Sequence, residues 1–147
     1  VNTRLVPGWA DAEAVVGGFR PHDGVHYTAL WFNENGMNRA LAFRDRLTMT
    51  GSISLAASNA FSIKNLNRGH AENLDAMRRQ TAVHLKAGIP VTRVGVMAAF
   101  GCNYQGDITP AQVVQTVADG MAVAAEHGCT ITDISLADTM GWATPIR

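Results

Sequence analysis

The stretch that decides the fold is Ile131-Thr-Asp-Ile-Ser-Leu-Ala-Asp-Thr-Met-Gly-Trp-Ala-Thr-Pro145. Residues 131–136 form a short apolar run with several β-branched side chains, which is long enough for one buried strand and too short for a helix. The run ends at Asp138, and Gly141 and Pro145 then break the chain. Active sites of α/β barrels lie at the carboxyl ends of the parallel strands. The stretch therefore predicts a buried strand that presents Asp138 at such an end, with a simple turn cap as the alternative role for this carboxylate.

The rest of the chain alternates between strand-like and helix-like segments. Apolar, β-branched runs predict strands over 25–32, 52–57, 91–98 and 131–136, and residues 1–7 look like the end of an earlier strand. Amphipathic periodicity predicts helices over 9–16, 37–43 and 70–87, and a capping box at Thr109 to Gln112 begins another helix that Gly128 ends. The polar segment 57–67 is predicted to be a loop. Strict alternation of this kind indicates a parallel sheet with right-handed crossovers.

Length and composition limit the class of protein. The chain has 147 residues, of which 47% are hydrophobic and 16% charged. This apolar makeup suits parallel strands that are buried on both faces. Twelve basic residues balance twelve acidic ones without forming a basic patch, so no nucleic-acid partner is expected. We expect no membrane partner because no apolar run is long enough to span a bilayer, and two cysteines without a secretory signal favour the cytoplasm.

The predicted strands are too few to close a barrel. A (β/α)8 barrel takes ~250 residues, so this chain would supply roughly half of one. We therefore predict an α/β fold in which residues 1–147 form a partial TIM-barrel domain. An open flavodoxin-like sheet is the alternative, and it would have to cover its edge strands.

Three predicted loops follow strand ends and would lie on the same face of a parallel barrel. Each holds polar groups suited to a ligand: Ser58, Asn59 and Lys64; then Cys102, Asn103 and Tyr104; then Asp138 and Thr139. Turn hydrogen bonding, a solvated lysine and an inert buried thiol are the plainer interpretations of the first two sets. None of the five histidines is spaced to pair with another, so no self-contained metal site is expected in this chain.

Four motifs resemble the 3-hydroxy-3-methylglutaryl-CoA lyase family of metal-dependent (β/α)8 barrels. The stretch 135–145 is similar to the family's sixth-strand motif, and 6–11, 57–67 and 101–106 are similar to those after its second, fourth and fifth strands. The resemblance implies an internal portion of the barrel, about strands 3 to 6 with their helices. Three positions depart from the family pattern: Asn59 replaces Glu, Asn103 replaces Pro, and Ala137 replaces Gly.

The same resemblance implies a function. It implies cleavage of a 3-hydroxyacyl-CoA to acetyl-CoA and a keto acid, with Mg²⁺ or Mn²⁺ as cofactor and most metal ligands outside this chain. Asp138 would then be the catalytic residue, and Ser58, Ser135 and Thr139 would line the substrate pocket. A Claisen-type synthase or aldolase of the same superfamily and a catalytically inactive barrel fragment are the alternatives, and a homo-oligomer remains open.

Overall fold

A computed structural model describes residues 6–146, so most of the strand end predicted at 1–7 lies outside them. Contacts divide the chain into two compact units, Val1–Thr50 and Gly51–Arg147. The second unit carries the sheet and all of the strand-end loops that contain candidate site residues.

The first unit is helical and irregular. A short 3-10 helix, Pro7–Trp9, precedes helix α1 (Ala12–Gly18), and helix α2 (Glu34–Leu41) follows a long irregular segment. The predicted strand over 25–32 is wrong: none of these residues enters a ladder, and Leu30 and Phe32 are 71% and 61% exposed. Side-chain pattern alone cannot make a strand, because a strand needs a neighbour for its backbone hydrogen bonds.

The second unit contains a parallel sheet. Strands β1 (Gly51–Ala56), β2 (Val91–Met97) and β3 (Asp133–Leu136) lie in the order β1-β2-β3. All pairings are parallel, with Ser52 opposite Arg93 and Arg93 opposite Asp133. The predicted α/β class and parallel order are confirmed. The described residues form three strands rather than four, and the sheet is not closed.

Three helices connect these strands: α3 (Asn59–Leu66), α4 (His70–Lys86) and α5 (Pro110–Glu126). Helix α4 matches its prediction almost to the residue. Helix α5 begins at the predicted capping box, where Thr109 Oγ1 accepts from Gln112 N–H at 3.3 Å and Gln112 Oε1 accepts from Thr109 N–H at 2.8 Å.

Helix α3 replaces the predicted loop over 57–67. Ser58 caps its first turn, with Oγ accepting from Phe61 N–H at 3.1 Å, and Asn67 ends it at a left-handed φ of +53°. Phe61 is buried and packs in the core together with residues of the sheet, which holds the helix to the sheet. This helix is hard to predict from the sequence because the residues at its N-cap and at its end, Ser58 and Asn67, are of types that are also common in turns.

The two faces of the sheet differ in chemistry. One face carries apolar, almost fully buried side chains, namely Ile53, Leu55, Val94 and Val96. This face packs against helices α4 and α5, which contribute Met77 and Val123 to the core. The other face carries Ser52, Ser54, Arg93 and Gly95.

Every residue of β3 is exposed, including Ile134 at 54% and Leu136 at 46%, so the prediction of a buried strand is wrong for this chain. Strand β3 is the last in the sheet, and α5 packs on β1 and β2 instead.

Candidate active site

Two loops meet at the carboxyl end of the sheet, one after β2 and one after β3. Because neighbouring strands run parallel, both loops leave the sheet at the same edge. Backbone hydrogen bonds join them at their base: Ala137 N–H donates to Val96 O at 2.8 Å, and Ala99 N–H donates to Ala137 O at 3.1 Å. The sheet thus continues into the loops that hold most of the candidate site residues.

Asp138 lies in the loop after β3 and accepts two backbone hydrogen bonds. Its Oδ1 accepts from Trp142 N–H at 2.8 Å, and its Oδ2 accepts from Ala143 N–H at 3.0 Å. Each carboxylate oxygen has two lone pairs, so each retains one for another donor. The side chain is exposed at the sheet edge. Turn capping and proton acceptance are therefore compatible roles for this carboxylate.

Thr139 connects the two loops directly. Its Oγ1 accepts from Ala98 N–H at 2.8 Å, immediately past the end of β2. Ala98 is fully buried and has a left-handed φ of +51°, a conformation that costs free energy for any residue with a Cβ. The Thr139 hydroxyl still has its own proton to donate to a ligand.

Ser135 and Ser58 occupy different surroundings. Ser135 is exposed on β3 and lies opposite Gly95, where an added Cβ would be 3.6 Å from Ser135 Oγ. Ser58 is fully buried, and its Oγ lies 3.0 Å from both Gln105 Oε1 and Cys102 Sγ. The structure thus brings Ser135, Asp138 and Thr139 onto one strand and its loop, and it places Ser58 beneath the surface, where it connects α3 to the loop after β2.

The remaining candidates have defined structural contacts. Asn59 Oδ1 accepts from His70 N–H at 2.8 Å, and Lys64 Nζ lies 5.6 Å from the centre of the Tyr104 ring. Cys102 is fully buried. Burial raises the pKa of its thiol, but hydrogen bonds from Ser58 and from nearby backbone N–H groups outweigh this and leave the pKa below its ordinary value.

Sequence reasoning missed a second connection between the two loops. Trp142 Nε1 donates to Asn103 Oδ1 at 2.8 Å, and Asn103 N–H donates to Met140 Sδ at 2.9 Å. Trp142 and Asn103 are 39 positions apart, so no local spacing rule predicts their contact. The only signal was the departure of Asn103 from the family pattern, which has Pro at that position.

The described residues do not fit a complete metal site. Over residues 6–146, no group of three or more His, Cys, Asp or Glu side chains comes together in an arrangement that could hold a metal ion. Nor does that part of the chain contain a helix with the length and apolar character needed to cross a membrane.

Comparison with known proteins agrees with the motifs. No family model matches the chain. The cytoplasmic 3-hydroxy-3-methylglutaryl-CoA lyase of Mus musculus is 35% identical over 99% of this chain and 39% of its own length. The crystal structure of hydroxymethylglutaryl-CoA lyase from Pseudomonas aeruginosa has a TM-score of 0.79 and 28% identity over 98% of this chain and 45% of that one. An Acinetobacter baumannii HMG-CoA lyase in complex with coenzyme A and 3-methylmalate has a TM-score of 0.71 and 25% identity over 99% of this chain and 44% of that one.

The resemblance predicted from the sequence is thus confirmed. The chain spans about 40% of the length of the curated relatives that it matches.

Proposed function

Because the chain resembles HMG-CoA lyases over nearly all of its length, we propose that it is part of a carbon–carbon lyase. The reaction is cleavage of a 3-hydroxyacyl-CoA similar to 3-hydroxy-3-methylglutaryl-CoA, giving acetyl-CoA and a keto acid. The observation that carries the proposal is the joined pair of strand-end loops with Asp138 at the carboxyl edge of a parallel sheet, which is where barrel enzymes have their active sites.

Asp138 acts in this proposal as the group that handles the substrate hydroxyl proton. Removal of that proton lets the oxygen form the carbonyl of the keto acid, while the electron pair of the breaking C–C bond passes to the thioester as an enolate. Protonation of the enolate carbon gives acetyl-CoA. A carboxylate that is fixed by two backbone N–H groups and still exposed has the orientation and the free lone pairs for the first step.

Thr139 and Ser135 are proposed to contact the substrate. Both lie on β3 or the loop that follows it, both are exposed, and both carry a hydroxyl that can donate to a carbonyl oxygen. Ser58 completes the proposed set. Its burial supports an indirect contribution, in which it holds the loop after β2 through Gln105 and Cys102.

The cofactor and compartment are also proposed by analogy. The resemblance implies a divalent metal, Mg²⁺ or Mn²⁺, and most of its ligands would come from outside the described residues, which offer no complete site. A relative whose structure contains coenzyme A supports an acyl-CoA substrate. Relatives include proteins named as cytoplasmic and as mitochondrial, and we propose the cytoplasm.

The test is an activity assay on the full-length protein that carries this chain. Release of acetyl-CoA from 3-hydroxy-3-methylglutaryl-CoA is measured with saturating Mg²⁺ or Mn²⁺, for the parent and for Asp138→Asn. We expect the variant to lose ~10²–10⁴-fold in kcat, because an amide cannot accept the hydroxyl proton as a carboxylate does. A small loss of stability, on the order of 1 kcal/mol, is also expected because one amide oxygen cannot accept from both N–H groups.

The matched control is Asp75→Asn, on the exposed surface of α4, where the carboxylate pairs with Arg78. This variant should keep parental turnover. A parent without turnover would reject the lyase function. Asp138→Asn activity within a few-fold of the parent would instead return Asp138 to a purely structural role.

A further inference from the structure

We propose that Trp142 is a positioning residue for Asp138, held in place by Gly101 and Asn103 of the neighbouring loop. We call these three residues the tryptophan tie. The inference rests on the proposed function, because Asp138 is the residue whose orientation is being explained.

The indole ring of Trp142 packs directly on the backbone of Gly101. A Cβ added to Gly101 would lie 2.3 Å from both Cδ2 and Cε3 of the ring, much closer than carbon atoms approach without a clash. Gly101 is buried and Trp142 is half-buried. The ring therefore covers a bare stretch of main chain that only glycine can provide.

Asn103 fixes the ring and the turn at the same time. Its side-chain oxygen accepts from the indole N–H of Trp142, and its own backbone N–H donates to the sulfur of Met140. Both Trp142 and Met140 belong to the turn that follows Asp138. The loop after β2 thus holds this turn at two points.

The resembling family has Pro where this chain has Asn103. Proline has no backbone N–H and no side-chain acceptor, so neither of these two hydrogen bonds could form with it. The tryptophan tie is therefore a feature that this chain's own residues create, not one implied by the family pattern.

The tryptophan tie is connected to Asp138 by a hydrogen bond from the main chain of Trp142. The backbone N–H of Trp142 donates to Asp138 Oδ1, and the next N–H, of Ala143, donates to Oδ2. Because the anchored ring and the donating N–H belong to one residue, we expect that releasing the ring loosens the peptide that orients the carboxylate. A carboxylate misplaced by about 1 Å is enough to cost up to 10²-fold in rate.

The first experiment detects the hydrogen bond between Trp142 and Asn103 directly and does not depend on enzymatic activity. In the full-length ¹⁵N-labelled protein, the indole N–H resonance of Trp142 is identified as the one absent from Trp142→Phe. Asn103→Ala removes the acceptor and should shift this resonance and speed its exchange with water. Asn38→Ala, at an exposed asparagine on α2, is the matched control and should leave it unchanged.

The second experiment separates positioning from general stabilisation. Trp142→Phe and Asn103→Ala should each lower kcat about tenfold with KM within about twofold of the parent, since they disturb a group that acts in the transition state. In an Asp138→Asn background, neither substitution should lower kcat further.

Several outcomes would overturn the inference. They are an unshifted indole resonance in Asn103→Ala, unchanged kcat in both single variants, or the same tenfold loss in the Asp138→Asn background. A parent without lyase turnover would reject the proposed function and, with it, the catalytic part of this inference. An active Asn103→Ala protein with an unshifted indole would reject the inference alone.

Discussion

Thr139 shows how one hydroxyl can determine the stability of a strand end. It is the acceptor for the N–H of Ala98, a buried residue in a left-handed conformation. Replacing Thr139 by Val preserves the shape of the side chain and removes the acceptor. We expect a loss of about 1–3 kcal/mol in the free energy of unfolding, the cost of leaving a buried N–H without a partner.

The control for this prediction is Thr139→Ser, which keeps the hydroxyl and should lose much less. Chemical denaturation of both variants provides the measurement. Equal stability of Thr139→Val and the parent would show that water or another group replaces the threonine.

The local roles of single residues were partly predictable. The sequence indicated that Asp138 either caps a turn or acts on a ligand, and its two hydrogen bonds show the capping role directly. For Ser58 the sequence indicated either a place in the substrate pocket or hydrogen bonding in a turn, and it predicted neither the helix that Ser58 caps nor its complete burial. The burial of Ser58 depends on Cys102 and Gln105, which lie more than 40 positions further along the chain. A local sequence pattern cannot predict such a long-range contact.

Helices α4 and α5 were predicted closely because the signals for their ends are local. A capping box and a proline act within the first turn of a helix, and a glycine acts directly after its last turn, so each signal lies within a few residues of the helix end that it sets. The failures were the strand at 25–32 and the loop at 57–67. Both depend on tertiary partners: a strand requires a neighbour, and α3 requires the buried contact of Phe61.

Gly120 determines how closely α5 approaches the sheet. A Cβ at this position would lie 2.7 Å from Val94 Cγ1 and 3.5 Å from Leu55 Cδ1. Gly120→Ala would gain up to about 1 kcal/mol in helix propensity, but overpacking a well-filled core typically costs about 1–3 kcal/mol. We therefore expect a net lower melting temperature.

A smaller residue at position 94 tests whether the clash with Val94 causes this loss of stability. In a Val94→Ala background, which removes the clashing methyl groups, Gly120→Ala should be neutral or stabilising in a thermal melt. A destabilising effect of the same size in both backgrounds would point to a cause other than the contact with Val94.

Helices α4 and α5 are also connected by a pH-sensitive pair. His70 Nε2 lies 2.8 Å from Asp119 Oδ2, and Gln115 Nε2 donates to the other oxygen. Burial raises the pKa of Asp119, but the hydrogen bonds from Gln115 and His70 outweigh it, so the pKa falls below the ordinary value of 3.8.

A carboxyl whose pKa is lower in the folded state stabilises the fold above its unfolded pKa. This contribution is lost as the pH falls through the lower, folded value. We expect the parent to lose melting temperature more steeply than Asp119→Asn as the pH falls through and below the ordinary pKa of 3.8. The measurement is the melting temperature of both proteins as a function of pH. An equal loss of melting temperature at acidic pH in the two proteins would contradict the prediction.

The position of each strand in the sheet should determine how strongly its amides are protected from hydrogen exchange. Strand β2 is bonded on both sides, whereas β3 has only β2 beside it in the described chain and every one of its residues is exposed. In a protein made of these 147 residues alone, we expect amides of β2 to exchange most slowly and those of β3 to exchange much faster, because local opening of an exposed edge requires little free energy. Mass spectrometry of peptides after deuterium labelling would measure this, and equal protection of β2 and β3 would contradict it.

The general architecture and its incompleteness were predictable from the alternation of elements, the motif order and the length of the chain, but the exposure of the last strand was not. Alternating strands and helices require a parallel sheet, which the structure has. The exposure of Ile134 and Leu136 could not be read from the sequence, because apolar side chains indicate a preference for burial and not the presence of a neighbour.

The strand order β1-β2-β3 has a consequence for how the sheet assembles. Each strand pairs with the one that precedes it along the chain, so every pairing closes a loop of one connecting segment, and the contact order of the unit stays moderate. A ribosome would deliver the strands in the sequence in which they dock. Residues 51–97, with α4 already packed on β1, can therefore fold first and provide the surface on which α5 and β3 dock as they emerge.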